Sequence, residues 1–543
     1  MFRHSLSSCA LLLSASLPLA QDWTNVGGGP ARNGRSLLLG PTSAQVAWSN
    51  TQDFSIISWA PFAADGRVFT VREAGFPQPG GAANDAIVAY DLDSGAELWR
   101  ETLPFGGDTL TEWIAWIGGA RDGRVYVSRS SNLQPQPMIA LDASTGATLW
   151  VSEVSTEAWA HDGLVFAPNG DLVLGDRLRV VRIDASDGST VWETPRLCPV
   201  SGSCGVALSG SKVYLDEPAP SVSNRLRVLD LATGVELYLG PDMDGFTNQN
   251  TPFVGPDGKT VFLARTQNDP GSDFLYAFDD TGSALVERWA RPVRWTTSHE
   301  HGLAADGSIY TFLPNDEFVR LDPATGNVTA SAGVLAPLGS NLSPKTAVGA
   351  DGTVYVSNGW ASSPASDGRL WAFSADLATE HFQLQLDRPN AGGPALAGDG
   401  KLIVCDRTGV YAYQEPCAGS FSVGAAGCLD ASAEAPELFG SGCPGPGQSF
   451  AFHMTGAPAF APAFLGIGLG SAPLPVDPSC TLSIGPLGVS LGFPVDGDGQ
   501  GSFLVDLPPS TSPAQLHLQV LVVDVVDPPY FTAATNVLVL DIQ

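Results

Sequence analysis

Two histidines and a glutamate stand side by side at His299, Glu300 and His301. On a β-strand, residues two apart point to the same side, so the imidazoles of His299 and His301 would face one way. Imidazole and carboxylate groups are ligands for divalent metals, and Asp162 could add a further carboxylate. The alternative is that these groups hydrogen-bond to one another and to water. We favour this second interpretation, and the metal site remains a hypothesis.

These residues lie at a constant distance from a recurring turn. A short turn of the Asp-Gly type, followed by an apolar strand, begins at Asp65, Asp122, Asn169, Gly210, Asp257, Asp306, Asp351 and Asp399. Seven positions before such a turn the chain has Asp162, Asn250 and His299. Trp59, Trp116 and Lys345 are next to equivalent positions. The repeat therefore places all of these side chains at the same end of an inner strand, beside a central channel.

A second motif follows six of these eight turns, and its first copy runs from Ala89 through Asp91 and Gly95 to Trp99. The aspartate can accept hydrogen bonds from N–H groups across a tight turn, and the glycine supplies the positive φ that closes it. One hairpin cannot bury its own apolar face, so the terminal aromatic residue is predicted to pack between neighbouring units. These structural aromatic residues are Trp48, Trp99, Trp150, Trp192, Tyr238 and Trp289.

Four strands in a unit of about 48 residues are typical of a propeller blade. The last unit lacks an outer strand after Tyr413, and the segment ending at Trp48 can supply it. We predict an all-β chain, with an eight-bladed β-propeller closed by an N-terminal strand and seven blades as the alternative. A small disulfide-tied β-sandwich follows. The predicted boundaries are 1–20 for a signal peptide, 21–416 for the propeller and 417–543 for the sandwich.

The charge of the chain limits its partners. It has 27 basic and 56 acidic residues among 543, with a formal net charge of -29. Such a balance argues against binding to nucleic acid or to anionic membrane surfaces. After the leader, no run is as long as the 18 or more apolar residues of a membrane span. We expect a soluble monomer.

Residues 1–20 resemble a secretory leader, with Arg3 before an apolar run that ends near Leu19. Export implies an oxidising compartment, in which cysteines are more often bridged than bound to metal. The preferred pairs are Cys198–Cys204, Cys417–Cys428 and Cys443–Cys480, which leaves Cys405 as a small buried thiol. We therefore expect an extracellular or periplasmic protein.

The pattern Ala-x-Asp-x-x-Thr-Gly-x-x-x-Trp resembles the tryptophan-docking repeat of the pyrroloquinoline-quinone (PQQ) β-propeller family. It is most complete at 89–99 and 140–150, and the resemblance covers about residues 22–416. The family contains quinone-dependent dehydrogenases and non-enzymatic members, including the propeller lipoprotein of the outer-membrane assembly machine. For a dehydrogenase, the resemblance implies calcium held by Glu and Asn, an Asp base, an Arg near the quinone and an aromatic floor. No residue of this chain can be matched to that set, and the sequence has no adjacent cysteine pair.

The loops between the second and third strands vary in length, as at Arg72–Asp85 and Thr266–Asp273. Length variation on one face is typical of a binding surface, although neutral drift would also produce it. We expect a non-catalytic binding or scaffold protein with a protein or glycan partner on this face, and no cofactor. The alternative is a PQQ- and calcium-dependent dehydrogenase of alcohols or sugars. Its cofactor site would draw on Trp59, Trp116, Asp162, Asn250, His299 and Lys345.

Overall fold

The structure is a computed structural model. It describes residues 23–51, 55–56, 61–73, 85–103, 112–131, 135–156, 163–200, 204–219, 223–243, 250–265, 273–294, 301–335, 342–361, 368–386, 392–398, 400–406, 409–428, 435–458, 460–476, 480–495, 499–523 and 532–543. All regular secondary structure in these ranges is β-strand.

The strands of the repeat region, in chain order, are β1 (Val46–Thr51), β2 (Ser55–Ile56), β3 (Phe62–Ala64), β4 (Arg67–Glu73), β5 (Ala86–Asp91), β6 (Glu97–Thr102), β7 (Glu112–Arg121), β8 (Arg124–Ser131), β9 (Gln136–Asp142), β10 (Thr148–Thr156), β11 (Leu164–Phe166), β12 (Leu172–Gly175), β13 (Arg179–Ile183), β14 (Thr190–Pro195), β15 (Val206–Ser209), β16 (Lys212–Ala219), β17 (Ser223–Asp230), β18 (Glu236–Leu239), β19 (Phe253–Val254), β20 (Thr260–Arg265), β21 (Phe274–Asp280), β22 (Leu285–Pro292), β23 (Gly302–Leu303), β24 (Ile309–Phe312), β25 (Glu317–Leu321), β26 (Val328–Val334), β27 (Leu342–Val348), β28 (Val354–Ala361), β29 (Gly368–Phe373), β30 (Glu380–Leu386), β31 (Gly392–Leu396), β32 (Leu402–Cys405) and β33 (Gly409–Tyr413).

Within the described residues these strands form eight antiparallel sheets. We number them sheet 1 (β2–β6), sheet 2 (β7–β10), sheet 3 (β11–β14), sheet 4 (β15–β18), sheet 5 (β19–β22), sheet 6 (β23–β26), sheet 7 (β27–β30) and sheet 8 (β31–β33 with β1). Middle strands such as β5 are buried on both faces because neighbouring sheets cover them. Outer strands such as β6 are mostly exposed. The predicted all-β propeller architecture is confirmed.

The ring closes through the N-terminal strand. In sheet 8, β1 pairs antiparallel with β33, and Trp48 lies opposite Ala412. The first strand of sheet 8, β31, lies beside both β27 and β3, so the last sheet contacts the first. The predicted closing strand is therefore confirmed. This pairing covers the outer edge of β33, which would otherwise be open to association with other chains.

The repeated tryptophans join neighbouring sheets at five of the eight interfaces. The Trp48 indole N–H donates to the Leu92 carbonyl at 2.7 Å, which links sheet 8 to sheet 1. The equivalent bonds of 2.9–3.0 Å are Trp99 to Ala143, Trp150 to Ala185, Trp192 to Leu231 and Trp289 to Pro323. Each indole also packs against the turn glycine of the next sheet. A Cβ on Gly146, for example, would lie 2.7 Å from Trp99.

Tyr238 takes the tryptophan position between sheets 4 and 5, and its contacts differ. Its hydroxyl donates to Asp280 Oδ1 at 2.6 Å. The other carboxylate oxygen of Asp280 accepts from Tyr214 at 2.5 Å and from Lys212 Nζ at 2.7 Å. Hydrogen bonds from Lys212, Tyr214 and Tyr238 outweigh burial and hold the pKa of Asp280 below its usual value. A carboxylate thus replaces the backbone carbonyl that receives the indole in the other copies.

Residues 23–41, which we call the inner segment, follow the first strands around the ring. They accept backbone hydrogen bonds from the N–H groups of Ala63, Ala120, Leu208, Val254, Leu303 and Val348, which belong to sheets 1, 2, 4, 5, 6 and 7. Arg32 Nη2 donates to the Leu164 carbonyl of sheet 3 at 2.8 Å. Leu39 lies against Gly400 of sheet 8. The inner segment therefore satisfies backbone groups on the inner edges of the sheets.

The strands after the propeller are β34 (Ser420–Val423), β35 (Glu437–Gly442), β36 (Ser449–Thr455), β37 (Ala463–Gly468), β38 (Leu474–Pro475), β39 (Thr481–Leu482), β40 (Leu487–Phe493), β41 (Gly501–Asp506), β42 (Ala514–Val523), β43 (Thr532–Ala534) and β44 (Leu538–Ile542). A six-stranded sheet in the order β34-β44-β42-β37-β40, with β43 beside β42, faces a three-stranded sheet of β35-β36-β41. Their shared core includes Leu438, Phe452, Leu465 and Leu518.

The predicted disulfide connectivity is wrong. The structure joins Cys417 to Cys443 and Cys428 to Cys480, not Cys417 to Cys428 or Cys443 to Cys480. Strand neighbours decide the pairing, because β34 lies beside β35 and brings Cys417 to the end of β35.

The third predicted bridge, Cys198–Cys204, is also absent. Cys204 is buried, and its carbonyl accepts a hydrogen bond from Arg196 Nη2 at 2.7 Å, which holds the residue toward the interior. Cys405 is a buried thiol, as expected.

A buried hydrogen-bond chain connects the sandwich to the inner segment. The Leu39 N–H donates to Ser441 Oγ at 2.9 Å, and that oxygen lies 2.6 Å from His453 Nε2. The other imidazole nitrogen, Nδ1, lies 3.2 Å from Ser502 Oγ. A neutral imidazole satisfies this chain by accepting at Nε2 and donating from Nδ1. The sandwich is thereby attached at the end of the propeller that carries the Asp-Gly turns.

Candidate functional site

The two ends of the propeller differ. The inner segment accepts hydrogen bonds from the first strands of six sheets just before their Asp-Gly turns, so it lines the inner rim of the ring at the turn end. The sandwich contacts the inner segment at Leu39 on the same end. The opposite end, which we call the loop end, carries the connections from second to third strands. Most of these connections lie outside the described residues. The ends of the second strands, from which the connections start, are described and can be compared between sheets.

Buried polar residues mark the loop end of the second strands. In six of the eight repeats, such a residue lies seven positions after the first residue of the Asp-Gly turn. These residues are Arg72, Arg129, Asp176, Glu217, Asn358 and Asp406. None of these residues is among the site candidates predicted from the sequence. Its sequence signal is a polar residue that recurs at one repeat position within apolar strands.

Several members of this layer hold the base of a loop. Asp176 Oδ1 accepts from the backbone N–H groups of Leu178 at 2.8 Å and Arg179 at 2.9 Å. Asp406 Oδ1 accepts from the Gly409 N–H at 2.9 Å. Backbone N–H groups at a buried turn need such acceptors, because an unsatisfied one costs about 1–3 kcal/mol. The layer therefore fixes where the loops leave the sheets.

Sheets 3 and 4 meet at a buried charged cluster. Glu217 Oε1 lies 3.3 Å from Arg227 Nη1, and its Oε2 lies 3.9 Å from Arg196 Nη1. Burial nevertheless raises the pKa of Glu217, against the lowering effect of the two guanidinium groups. The preceding residue, Asp216, faces sheet 5. Burial raises the pKa of Asp216 to about 7. The side chains of these two adjacent residues thus connect sheet 4 to sheet 3 and to sheet 5.

The four candidate residues that the structure describes do not converge on one open site. Trp59, Asp162, His299 and Glu300 lie outside the described residues. Trp116 was expected at the channel mouth, but its indole is only 1% exposed and packs in a hydrophobic cluster with Tyr126 and Leu164. This position corrects the expectation, because burial between sheets 2 and 3 removes the ring from the channel.

The remaining three candidates are buried as well. Asn250 donates from its backbone N–H to Asp216 Oδ2 and from Nδ2 to the Ala264 carbonyl, both at 2.9 Å. His301 stacks on Phe253 with ring centroids 4.7 Å apart. Lys345 is buried on β27. Asn250 and His301 therefore join neighbouring sheets.

The candidate residues that the structure describes are enclosed in the core or between sheets. Within the described ranges there is no group of three or more His, Cys, Asp or Glu side chains that could hold a metal ion. Trp116 cannot serve as a stacking floor while it is enclosed by the core. His301 is turned into the interface between sheets 5 and 6. The candidate residues that the structure describes therefore do not fit PQQ with calcium, and we derive no chemistry through that group.

The two buried histidines predict a loss of stability in acid. Burial lowers the pKa of both His301 and His453 to about 3, whereas an unfolded histidine titrates near pH 6.5. The unfolded chain therefore takes up protons first. The free energy of unfolding is therefore unaffected by these histidines above about pH 6.5. It decreases as the pH falls from about 6.5 toward about 3. At pH 5 the expected loss is on the order of 2 kcal/mol for each histidine.

The variant His453→Gln isolates one of these contributions in urea titrations at pH 7 and pH 5. The decrease in free energy of unfolding between the two pH values should be about 2 kcal/mol smaller than in the wild type. The comparison with wild type is needed because Asp216, with its raised pKa, has the opposite pH dependence. Ser502→Ala, which keeps the imidazole, is the control and should retain the wild-type decrease. Equal decreases in His453→Gln and wild type would contradict the assignment.

Comparisons with known proteins bear on the repeat region. Residues 83–331 match the family model described as outer membrane protein assembly factor BamB. The structure of quinohemoprotein alcohol dehydrogenase from Comamonas testosteroni aligns with a TM-score of 0.52 and 14% identity, over 74% of this chain and 83% of that chain. A europium-containing methanol dehydrogenase aligns with a TM-score of 0.51 and 15% identity, over 74% of this chain and 90% of that chain.

By sequence alone, no curated protein matches this chain. At 14% and 15% identity, the two structural alignments show a common fold and carry no information about activity. The family match and the shared fold agree with the tryptophan-docked sheets described above. The repeat region of this chain is a PQQ-like β-propeller.

Proposed function

We propose that this chain is an exported, non-catalytic binding protein, and that its propeller holds a protein partner on the loop end. The observation that carries the proposal is that the inner segment occupies the inner rim at the turn end and contacts the sandwich there. A partner that contacts the channel or its rim therefore approaches from the loop end. The matching family model is named for an assembly factor, which supports a role in contact with other proteins.

Export and the absence of a cofactor are parts of the same proposal. The leader at 1–20 and the two disulfides of the sandwich fit an oxidising compartment. Among the described residues, no helix is long and apolar enough to cross a membrane. We propose that the chain works without PQQ or calcium, because the described candidates are held in interfaces between sheets.

The test is capture of a partner by the full chain from envelope extracts of its host. In one variant, residues 74–84 and 266–272, which connect β4 to β5 and β20 to β21 in the sequence, are replaced by Gly-Ser linkers of equal length. The control is Ala232→Ser, in an exposed turn of the opposite end. We expect a captured protein that is lost with the loop variant and kept with the control.

Capture that is equal for all three proteins would contradict the proposal. A glycan as the only loop-dependent ligand would replace the protein partner. The dehydrogenase alternative is tested separately, by adding PQQ and calcium to the purified chain and measuring dye reduction with alcohols and sugars. Turnover in that assay would overturn the non-catalytic assignment.

A further inference from the structure

We infer that the edge strand β40 of the sandwich is a self-association surface, on which a second copy of this chain pairs its own β40 in antiparallel orientation.

The strand β40 lies at the end of the six-stranded sheet. It pairs with β37 on one side, and no other strand among the described residues pairs with its outer side. Natural edge strands are usually protected by charged residues, by proline, by bulges or by short length. The seven residues Leu487–Phe493, Leu-Gly-Val-Ser-Leu-Gly-Phe, include no charge and no proline. The one irregularity in the pairing is opposite the start of the strand, between Ile467 and Gly468.

Apolar side chains of β40 extend beyond the core. Val489 lies opposite Ile467, and Leu491 lies opposite Leu465, which is fully buried. Val489 and Leu491 are nevertheless 48% and 37% exposed. The reason is geometric, because the facing sheet has three strands against six and is too narrow to cover the edge. An added strand would bury this row and pair the outer backbone groups at the same time.

The distribution of charge favours a second copy of this chain as the partner that pairs with β40. The chain has a formal net charge of -29, and this repulsion is the reason to expect a monomer. Residues 457–495 are an exception, since Asp477 is their one charged residue. Two copies therefore repel each other least where these segments meet. A basic partner would be drawn to the acidic surfaces, and a lipid surface could not pair the backbone groups of an edge strand.

The sequence of β40 is compatible with a two-fold axis. Antiparallel pairing centred on Ser490 places Val489 of each copy opposite Leu491 of the other, and Gly488 opposite Gly492. Apolar cross-strand pairs of this kind stabilise antiparallel sheets. The same surface then serves both copies, as a closed dimer requires. The two six-stranded sheets would become one continuous sheet.

The first test is sedimentation equilibrium of the full chain from about 1 to 100 μM. We expect a dimer mass for the wild type. Val489→Lys should raise the dissociation constant by at least about tenfold, because it places two like charges and an unsolvated ammonium group at the new pairing. Val286→Lys is the matched control, since Val286 is 51% exposed on β22, the outer strand of sheet 5. The control should dimerise as the wild type does.

The second test uses Ser490→Cys in a Cys198→Ser background. If the axis passes through residue 490, mild oxidation should give a disulfide-linked dimer, and the same change at exposed Leu98 on β6 should not. A wild-type chain that stays monomeric over the whole concentration range would overturn the inference. A dimer that is equally stable in Val489→Lys, or crosslinking that is no faster at 490 than at 98, would also overturn it.

Discussion

Trp48→Ala is expected to lower the free energy of unfolding by about 3–5 kcal/mol. The indole is buried, donates its N–H to the Leu92 carbonyl at 2.7 Å and packs on Gly95. All the docked tryptophans make this kind of contact, but Trp48 makes it from the strand that closes the ring. Its loss therefore weakens the sheet 8 to sheet 1 interface and the pairing of β1 with β33 together.

Chemical denaturation followed by far-ultraviolet circular dichroism measures this change without relying on the removed fluorophore. The matched control is Leu98→Ala on the outer strand β6, where the side chain is exposed and the expected change is within about 0.5 kcal/mol. Limited proteolysis gives a second readout, because a released β1 should be cut in the Trp48→Ala variant first. A stability within 1 kcal/mol of wild type, on the order of a surface substitution, would show that the ring does not depend on this residue.

Arg32→Met should lower the free energy of unfolding by about 3 kcal/mol or more. The buried guanidinium donates to the Val206 carbonyl at 2.6 Å, to the Leu164 carbonyl at 2.8 Å and to the Val26 carbonyl at 3.3 Å. It thus joins the inner segment to sheets 3 and 4. Methionine retains much of the apolar volume but leaves these carbonyls without the charged donor.

Hydrogen exchange locates the effect of Arg32→Met. The amides of Leu208 and Val254 donate to Pro30 and Ala31 of the inner segment, so both should exchange faster once Arg32 no longer holds it. Arg100→Met is the control, because Arg100 makes an exposed ion pair with Glu97 that is worth at most about 1 kcal/mol. Unchanged exchange at Leu208 and Val254 would mean that the inner segment is held mainly by its backbone contacts.

Most of the propeller could be predicted because its signals are local and repeated. The interval from Asp91 through Gly95 to Trp99 is set by one hairpin, and its copies must be equivalent for the sheets to pack alike. The missing outer strand of the last unit similarly required a partner, and Trp48 supplied the expected aromatic residue. The turn and tryptophan repeats were therefore sufficient to infer the fold and its closing strand.

The candidate site was less predictable. A repeat position shows which end of a strand a residue occupies but not which way its side chain points. Trp116 lies on the inner strand β7 and His301 directly before β23, yet their rings turn into the interfaces between sheets. The polar layer that includes Asp176 and Asp406 is at a repeat position too, but its role depends on backbone N–H groups that become neighbours only after folding.

The amino-acid sequence by itself determined the repeat, the docking tryptophans, the closing strand and the strong negative charge, because each is expressed in short-range spacing or in composition. The tertiary structure alone decided the cysteine pairing, the course of the inner segment and the uncovered edge at β40. These features depend on contacts between residues far apart in the chain, as in the bond from Leu39 to Ser441. Such contacts have no period in the sequence, and they arise from which surfaces remain to be covered once the sheets have formed.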